Sequence, residues 1–126
     1  MSPLEFRFEV KFYREEDGTE PVVEFVQDVA RSNRELAARM RAGLGKLEDS
    51  RYHRPPTVTD LGEGLYELRI LGNNSARVLF FHGRPRRLVL VHAFLKKSQK
   101  TPKGDFAIAR ERKRRHEERA TEDEDE

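Results

Sequence analysis

The chain contains no cysteine, which excludes disulfide frameworks, thiolate catalysis and cysteine-ligated zinc. Its four histidines, at 53, 82, 92 and 116, show no HxxxH or HxxE spacing, so neither a metal centre nor any other cofactor is expected. No run approaches the roughly 18 apolar residues of a membrane span. The N-terminus MSPLEFRFEVKFYREED alternates charge with Phe where a signal peptide would be continuously apolar, so a soluble, cytoplasmic protein without membrane contact is expected. No internal repeat is present, and the only low-complexity stretch is the acidic C-terminal tail. What remains is 126 residues, room for one compact domain, at 36% hydrophobic, 38% charged and a mean hydropathy of -0.86. Eight Phe and three Tyr suffice to close a small core.

The net charge of +2 conceals an asymmetry. The last six residues, TEDEDE, hold five of the 23 acidic side chains, so residues 1–120 carry 25 basic groups against 18 acidic ones. Between Lys96 and Arg115, nine Lys/Arg face only Asp105 and Glu111. A basic domain with an acidic tail fits a polyanion binder and equally a solubilised helix end.

Leu4, Phe6, Phe8, Val10 and Phe12 alternate with charged residues, the period of a strand with one buried face. Pro21 suits the first position of a helix whose Val22, Phe25, Val26 and Val29 share a face. Ser32 with Glu35 forms a candidate capping box for a second helix, marked by Leu36, Met40, Leu44 and Leu47 and ending near Ser50. Residues 51–64 (RYHRPPTVTDLGEG) read as a loop, since Pro55-Pro56 forbids helix and two glycines close it. Three strands follow at 65–70, 75–82 and 87–95, the last apolar at both parities and hence covered on both faces. Thr101-Pro102 then reads as an N-cap and N1 proline opening a charged helix from about 103 to 118. The expected order is β-α-α-β-β-β-α in an α+β domain over 1–118, with 119–126 a disordered tail.

Alternation within LYELRI sets Glu67 and Arg69 opposite Tyr66, Leu68 and Ile70; within ARVLFF it sets Arg77 and Phe81 opposite Val78 and Phe80. On the third strand, Leu88, Leu90, His92, Phe94 and Lys96 share one parity. If the three strands are antiparallel neighbours, Glu67, Arg69, Arg77, Phe81, His92 and Lys96 meet on one sheet face. Such a surface suits RNA, because Arg and Lys hold phosphate, Phe stacks on a base and His moves protons near neutral pH. The same residues also read structurally: Glu67 as the partner of Arg69 or Arg77, His92 as a satisfied core histidine, Phe81 and Phe94 as core, and Lys96-Lys97 as solvated surface.

The motifs GLYELRI, ARVLFF and LVLVHAFLKKSQKTP, followed by a helix containing Ala107-x-x-Arg110, resemble the phage-derived HigB branch of the RelE/ParE toxin superfamily over roughly residues 6–115. The resemblance implies a RelE-like α+β fold, with an N-terminal strand and a two-helix hairpin packed on an antiparallel sheet and a C-terminal helix. It implies a type II toxin that cleaves mRNA in the ribosomal A site, beside ribosomal RNA, and is restrained by an antitoxin that often carries a helix-turn-helix domain. Carried over residue by residue, Arg77 is the contact to the scissile phosphate, with Arg69 beside it and His92 and Lys96 as further catalytic candidates. Glu67, Phe81, Phe94, Lys97 and Lys100 complete the expected RNA-binding set. The implied reaction is metal-free attack of the RNA 2'-hydroxyl on the adjacent phosphate, which asks for a base, a cation at the phosphorane and an acid. The chain departs from the superfamily in lacking an aromatic or His after the last helix, with His116 only a remote substitute. Two alternatives stay open: a ParE-like inhibitor of DNA gyrase, and a non-catalytic nucleic-acid- or partner-binding module of prophage origin.

Overall fold

The computed structural model describes residues 4–70, 75–96 and 101–125, with side chains as far as Thr121. Strand β1 (Glu9–Phe12) leads to helices α1 (Pro21–Ser32) and α2 (Arg34–Lys46), then to strands β2 (Val58–Gly62), β3 (Leu65–Ile70), β4 (Ala76–His82) and β5 (Arg87–Leu95), and finally to helix α3 (Lys103–Asp125). The five strands form one sheet in the order β1-β5-β4-β3-β2. Helices α1 and α2 cover one face and α3 the other, so the domain has three layers and two apolar cores.

The sheet is mixed, which corrects the expected antiparallel one: β1 pairs with β5 in parallel, and the remaining neighbours are antiparallel. The alternation that marks β1 persists only over its second half, where Phe8, Val10 and Phe12 pack on the α1-α2 core; Leu4–Phe6 is a 3-10 turn. Strand β2 lies inside the segment read as a loop. Its own sequence carries a weak strand signal, and the pairing of Val58 with Leu68 and Asp60 with Tyr66 supplies the backbone partners. The turn from β2 to β3 holds Gly62, Glu63 and Gly64 at φ of 87°, 55° and 78°, which explains the two glycines.

Pro21 opens α1 as expected, and Val22 and Val26 are buried. The cap of α2 is Asn33, whose side-chain oxygen accepts from the Leu36 amide at 3.0 Å, in place of the Ser32-Glu35 box; Ser32 is the last residue of α1. At Gly43 an added Cβ would stand 2.6 Å from Ile70 Cδ1, so the glycine is what lets α2 lie close to β3. Helix α3 extends to Asp125, past the expected end at 118 and through the segment read as a disordered tail. Ion pairs at helical spacing (Lys113 with Glu117, Arg114 with Glu118) support its second half, where neither Gly nor Pro interrupts.

Candidate functional site

Strands β3 and β4 pair Glu67 with Leu79 and Arg69 with Arg77, so alternation does place Glu67, Arg69 and Arg77 on the α3 face. On β5 strict parity fails. A register shift between Leu79 and Phe80 sets His92 opposite Leu79 but Leu90 opposite Phe80. Leu88 and Leu90 therefore join the α1-α2 core while Phe94 joins the α3 core. The bulge turns His92 and Phe94 toward α3 and corrects the single-parity reading of that strand.

Glu67 is the hub. Its side chain is 5% exposed and that of Arg77 is 4%, with Arg77 Nε 3.5 Å from Glu67 Oε1. The Thr101 hydroxyl donates to Glu67 Oε2 at 2.7 Å, and the Phe106 amide bonds to the Pro102 carbonyl at 3.0 Å, which puts Pro102, not Thr101, at the N-cap of α3. Arg77 also donates through Nη1 to the Ala76 carbonyl at 2.9 Å. Burial pushes the Arg77 guanidinium below its ordinary pKa, against the pull of Glu67. The Lys96 ammonium is likewise lowered by desolvation, with Glu67 opposing and Arg77 and Arg69 reinforcing the shift. Four charged groups, three of them cationic, thus share one neighbourhood.

This cluster opens into a cleft of about 710 Å³ between β2-β3 and the first half of α3, lined among others by Thr59, Glu67, Arg69, Lys96, Phe106 and Arg110. Arg69 and Lys96 reach the cleft itself. Arg77 does not line it, standing behind Glu67 with the Nε of both Arg69 and Arg77 buried and without a hydrogen-bond partner among the described residues. The structure thus brings Glu67, Arg69, Arg77 and Lys96 together; Arg69 and Lys96 line the cleft, and Arg77, which the resemblance puts at the scissile phosphate, lies behind Glu67.

The other expected residues lie elsewhere. Phe81 is 1% exposed and Phe94 7%, both beneath α3, so neither ring is presented for stacking on a base. His92 Nε2 lies 2.6 Å from Asp105 Oδ1, and its Nδ1 lies 3.2 Å from Arg112 Nη1. Since Arg112 can only donate, His92 carries its proton on Nε2 and donates to Asp105. Burial lowers the His92 pKa, with Asp105 opposing and Arg112 reinforcing. Arg112 further binds the Val91 carbonyl at 2.8 Å and Glu15 at 3.1 Å, making His92 part of a strap between β5 and α3. His116 packs edge-on against Phe81 at 5.6 Å and borders a different cleft. Lys97 and Lys100 lie outside the described residues.

Thr101, Phe106, Asp105 and Arg112 were not singled out for the site. Phe106, Ala109, Lys113 and His116 repeat at spacings of three and four, the signal that α3 lays a face on the sheet and builds one wall of the cleft.

Residues 27–114 match the family described as phage-derived protein Gp49-like (DUF891), a span from α1 to the middle of α3 that includes every described residue of the Glu67 cluster. The chain belongs to the Gp49-like family. A search of curated proteins finds no match. Among the described residues no helix is long and apolar enough to cross a membrane, and no group of three or more His, Cys, Asp or Glu could hold a metal ion.

Proposed function

We propose that this Gp49-like protein is the toxin of a type II toxin-antitoxin system and acts as a ribosome-dependent mRNA endoribonuclease. The observation that carries the reading is the charge of the cleft: Arg69, Lys96, Lys103 and Arg110 line it against Glu63 and Glu67, and the buried Nε of Arg69 has no hydrogen-bond partner among the described residues. A buried donor without an acceptor is unstable by itself, so such a site is completed by an anion such as a phosphate. The association of the Gp49-like family with toxin-antitoxin toxins, and its relation to RelE-type toxins, supports the same reading.

In the reaction, the RNA 2'-hydroxyl attacks its own phosphate, leaving a cyclic phosphate and a 5'-hydroxyl. Arg69 and Lys96 face the charge that develops on the phosphorane, while Arg77 holds the Glu67 carboxylate that spaces them. His92 is committed to Asp105 and Arg112, which leaves the cleft rich in charge and poor in proton carriers. Positioning of the mRNA by the ribosome then supplies what the cleft lacks, and restraint falls to a helix-turn-helix antitoxin.

The test is primer extension on translated and untranslated transcripts after induced expression, with purified protein on naked RNA and on programmed ribosomes. Cutting confined to translated message is expected. Efficient cleavage of naked RNA overturns the ribosome dependence. Gyrase poisoning without RNA cleavage overturns the nuclease reading in favour of a ParE-like inhibitor, and RNA binding without either activity favours a non-catalytic module.

A further inference from the structure

The cleft around Glu67 is not the most cationic one on the molecule. At the opposite end of α3 a second cleft of about 570 Å³ lies between β1, the β4-β5 turn and the second half of the helix. Its charged lining is Arg14, Arg84, Arg87 and Arg119 against Glu117, with His116 beside them. The Glu117 carboxylate is held by Lys113 at 3.1 Å. Arg14 has Glu20 at 3.7 Å and Arg87 has Glu9 at 3.1 Å, and both acids lie outside the lining, where four guanidinium groups face one carboxylate among the described residues. The positive field is felt locally: the His116 pKa is lowered by burial, and Arg119 and Arg87 lower it further against the opposing charge of Glu117. Phe12 and Phe81 form an apolar floor beneath the guanidinium groups.

We propose that this second cleft binds the phosphate backbone of RNA, at a place separate from the Glu67 site. Four guanidinium groups, from the β1-α1 loop, the β4-β5 turn, β5 and α3, form a surface for a row of phosphates, since Arg pairs with phosphate through forked donors and needs no particular base. From Lys103 at one cleft to Thr121 at the other, α3 rises about 27 Å, so the two clefts lie toward opposite ends of the helix. The second cleft anchors RNA without chemistry, because the one carboxylate among its described lining residues, Glu117, is paired with Lys113.

The proposal leans on the nuclease reading only for which RNA is bound, and the two fail separately. Binding of fluorescein-labelled 16-nucleotide RNA, single-stranded and as a duplex, is measured by anisotropy between 50 and 300 mM KCl for the full chain and for Arg14→Gln/Arg119→Gln. Losing two phosphate contacts should weaken binding at low salt and reduce the slope of log Kobs against log salt by about 1.4 on the single strand and about 1.8 on the duplex. Because Arg119 also stands 5.1 Å over the Tyr13 ring, Arg14→Gln/Arg84→Gln is measured in parallel and should show the same loss if the first double variant melts early. Unchanged affinity and slope in a folded double variant overturn the proposal. So does a polyglutamate peptide of equal length that displaces the RNA as well as unlabelled RNA does, which would make the cleft a seat for an acidic protein segment. If the slope falls but no variant or wild-type protein ever cuts RNA, the nuclease reading is lost and the second cleft stands.

Discussion

Replacing Arg77 by Ala is the most informative perturbation, because the residue carried over as the phosphate contact is buried behind Glu67. The change removes the 3.5 Å ion pair and the 2.9 Å hydrogen bond to the Ala76 carbonyl, and it leaves a carboxylate that is 5% exposed without its main counter-charge. Breaking one side of a buried pair costs about 3–5 kcal/mol. The lower end, ~3 kcal/mol, applies here because the Thr101 hydroxyl still donates to Glu67 and Lys96 still attracts it. For a domain of this size that corresponds to a fall in Tm on the order of 10 °C. Growth inhibition should disappear together with stability, and Glu67→Gln in the Arg77→Ala background should recover part of the loss, since no buried charge is then left uncompensated. Thermal melts of the four members of this double-mutant cycle give the coupling, expected at about 1–3 kcal/mol. A single variant that melts with the wild type yet has lost all RNA cleavage would refute the reasoning and return Arg77 to the substrate. Additive losses across the cycle would refute it too.

Lys96→Ala should act in the opposite way, lowering ribosome-dependent cleavage by about 10²- to 10³-fold, as for loss of one donor at a developing oxyanion, while the melt stays near that of the wild type. Gly43→Ala should destabilise despite better helix propensity: the new Cβ at 2.6 Å from Ile70 Cδ1 costs about 1–3 kcal/mol of overpacking against a gain of up to ~1 kcal/mol, and Ile70→Val, which deletes that methyl, should restore it. Denaturant unfolding of the single and double variants checks this, with Gly45→Ala, whose Cβ meets nothing within 4 Å, as the control that should not destabilise. The pKa values of His82, His92 and His116 are lowered mainly by burial, so the unfolded chain binds more protons than the folded one as pH falls through the ordinary histidine value near 6.5. Stability is therefore full above that pH and declines below it; melts between pH 8 and 5 should show the decline, and His92→Gln should make it shallower.

Much of this architecture is legible in the residues themselves. The Val22, Phe25, Val26, Val29 stripe behind Pro21, the 3-4 repeat from Leu36 to Leu47, and the three strands at 65–70, 75–82 and 87–95 depend on short-range periodicity, which the chain carries irrespective of what packs on it. Alternation likewise sufficed to put Glu67, Arg69 and Arg77 on one face. The Gp49-like family could be approached from the same motifs, because family resemblance lives in local strings.

Tertiary structure decided the rest. The parallel pairing of β1 with β5 joins segments about eighty residues apart, and nothing within either strand selects the direction. Strand β2 forms because β3 offers it partners, where its own TVTDLG reads as a loop. The bulge at Leu79/Phe80 moves His92 and Phe94 to the α3 face, a one-residue slip in pairing that reverses every later side chain and leaves no mark in a single strand's sequence. Most consequential is the depth of the charges. Period-two alternation tells which face a side chain takes but not what lies over it, and here α3 with Thr101 closes on Glu67, burying Arg77 and Phe81 while Arg69 and Lys96 reach the cleft. Which cation meets a phosphate is settled by that packing, since burial depends on a helix some thirty residues further along the chain.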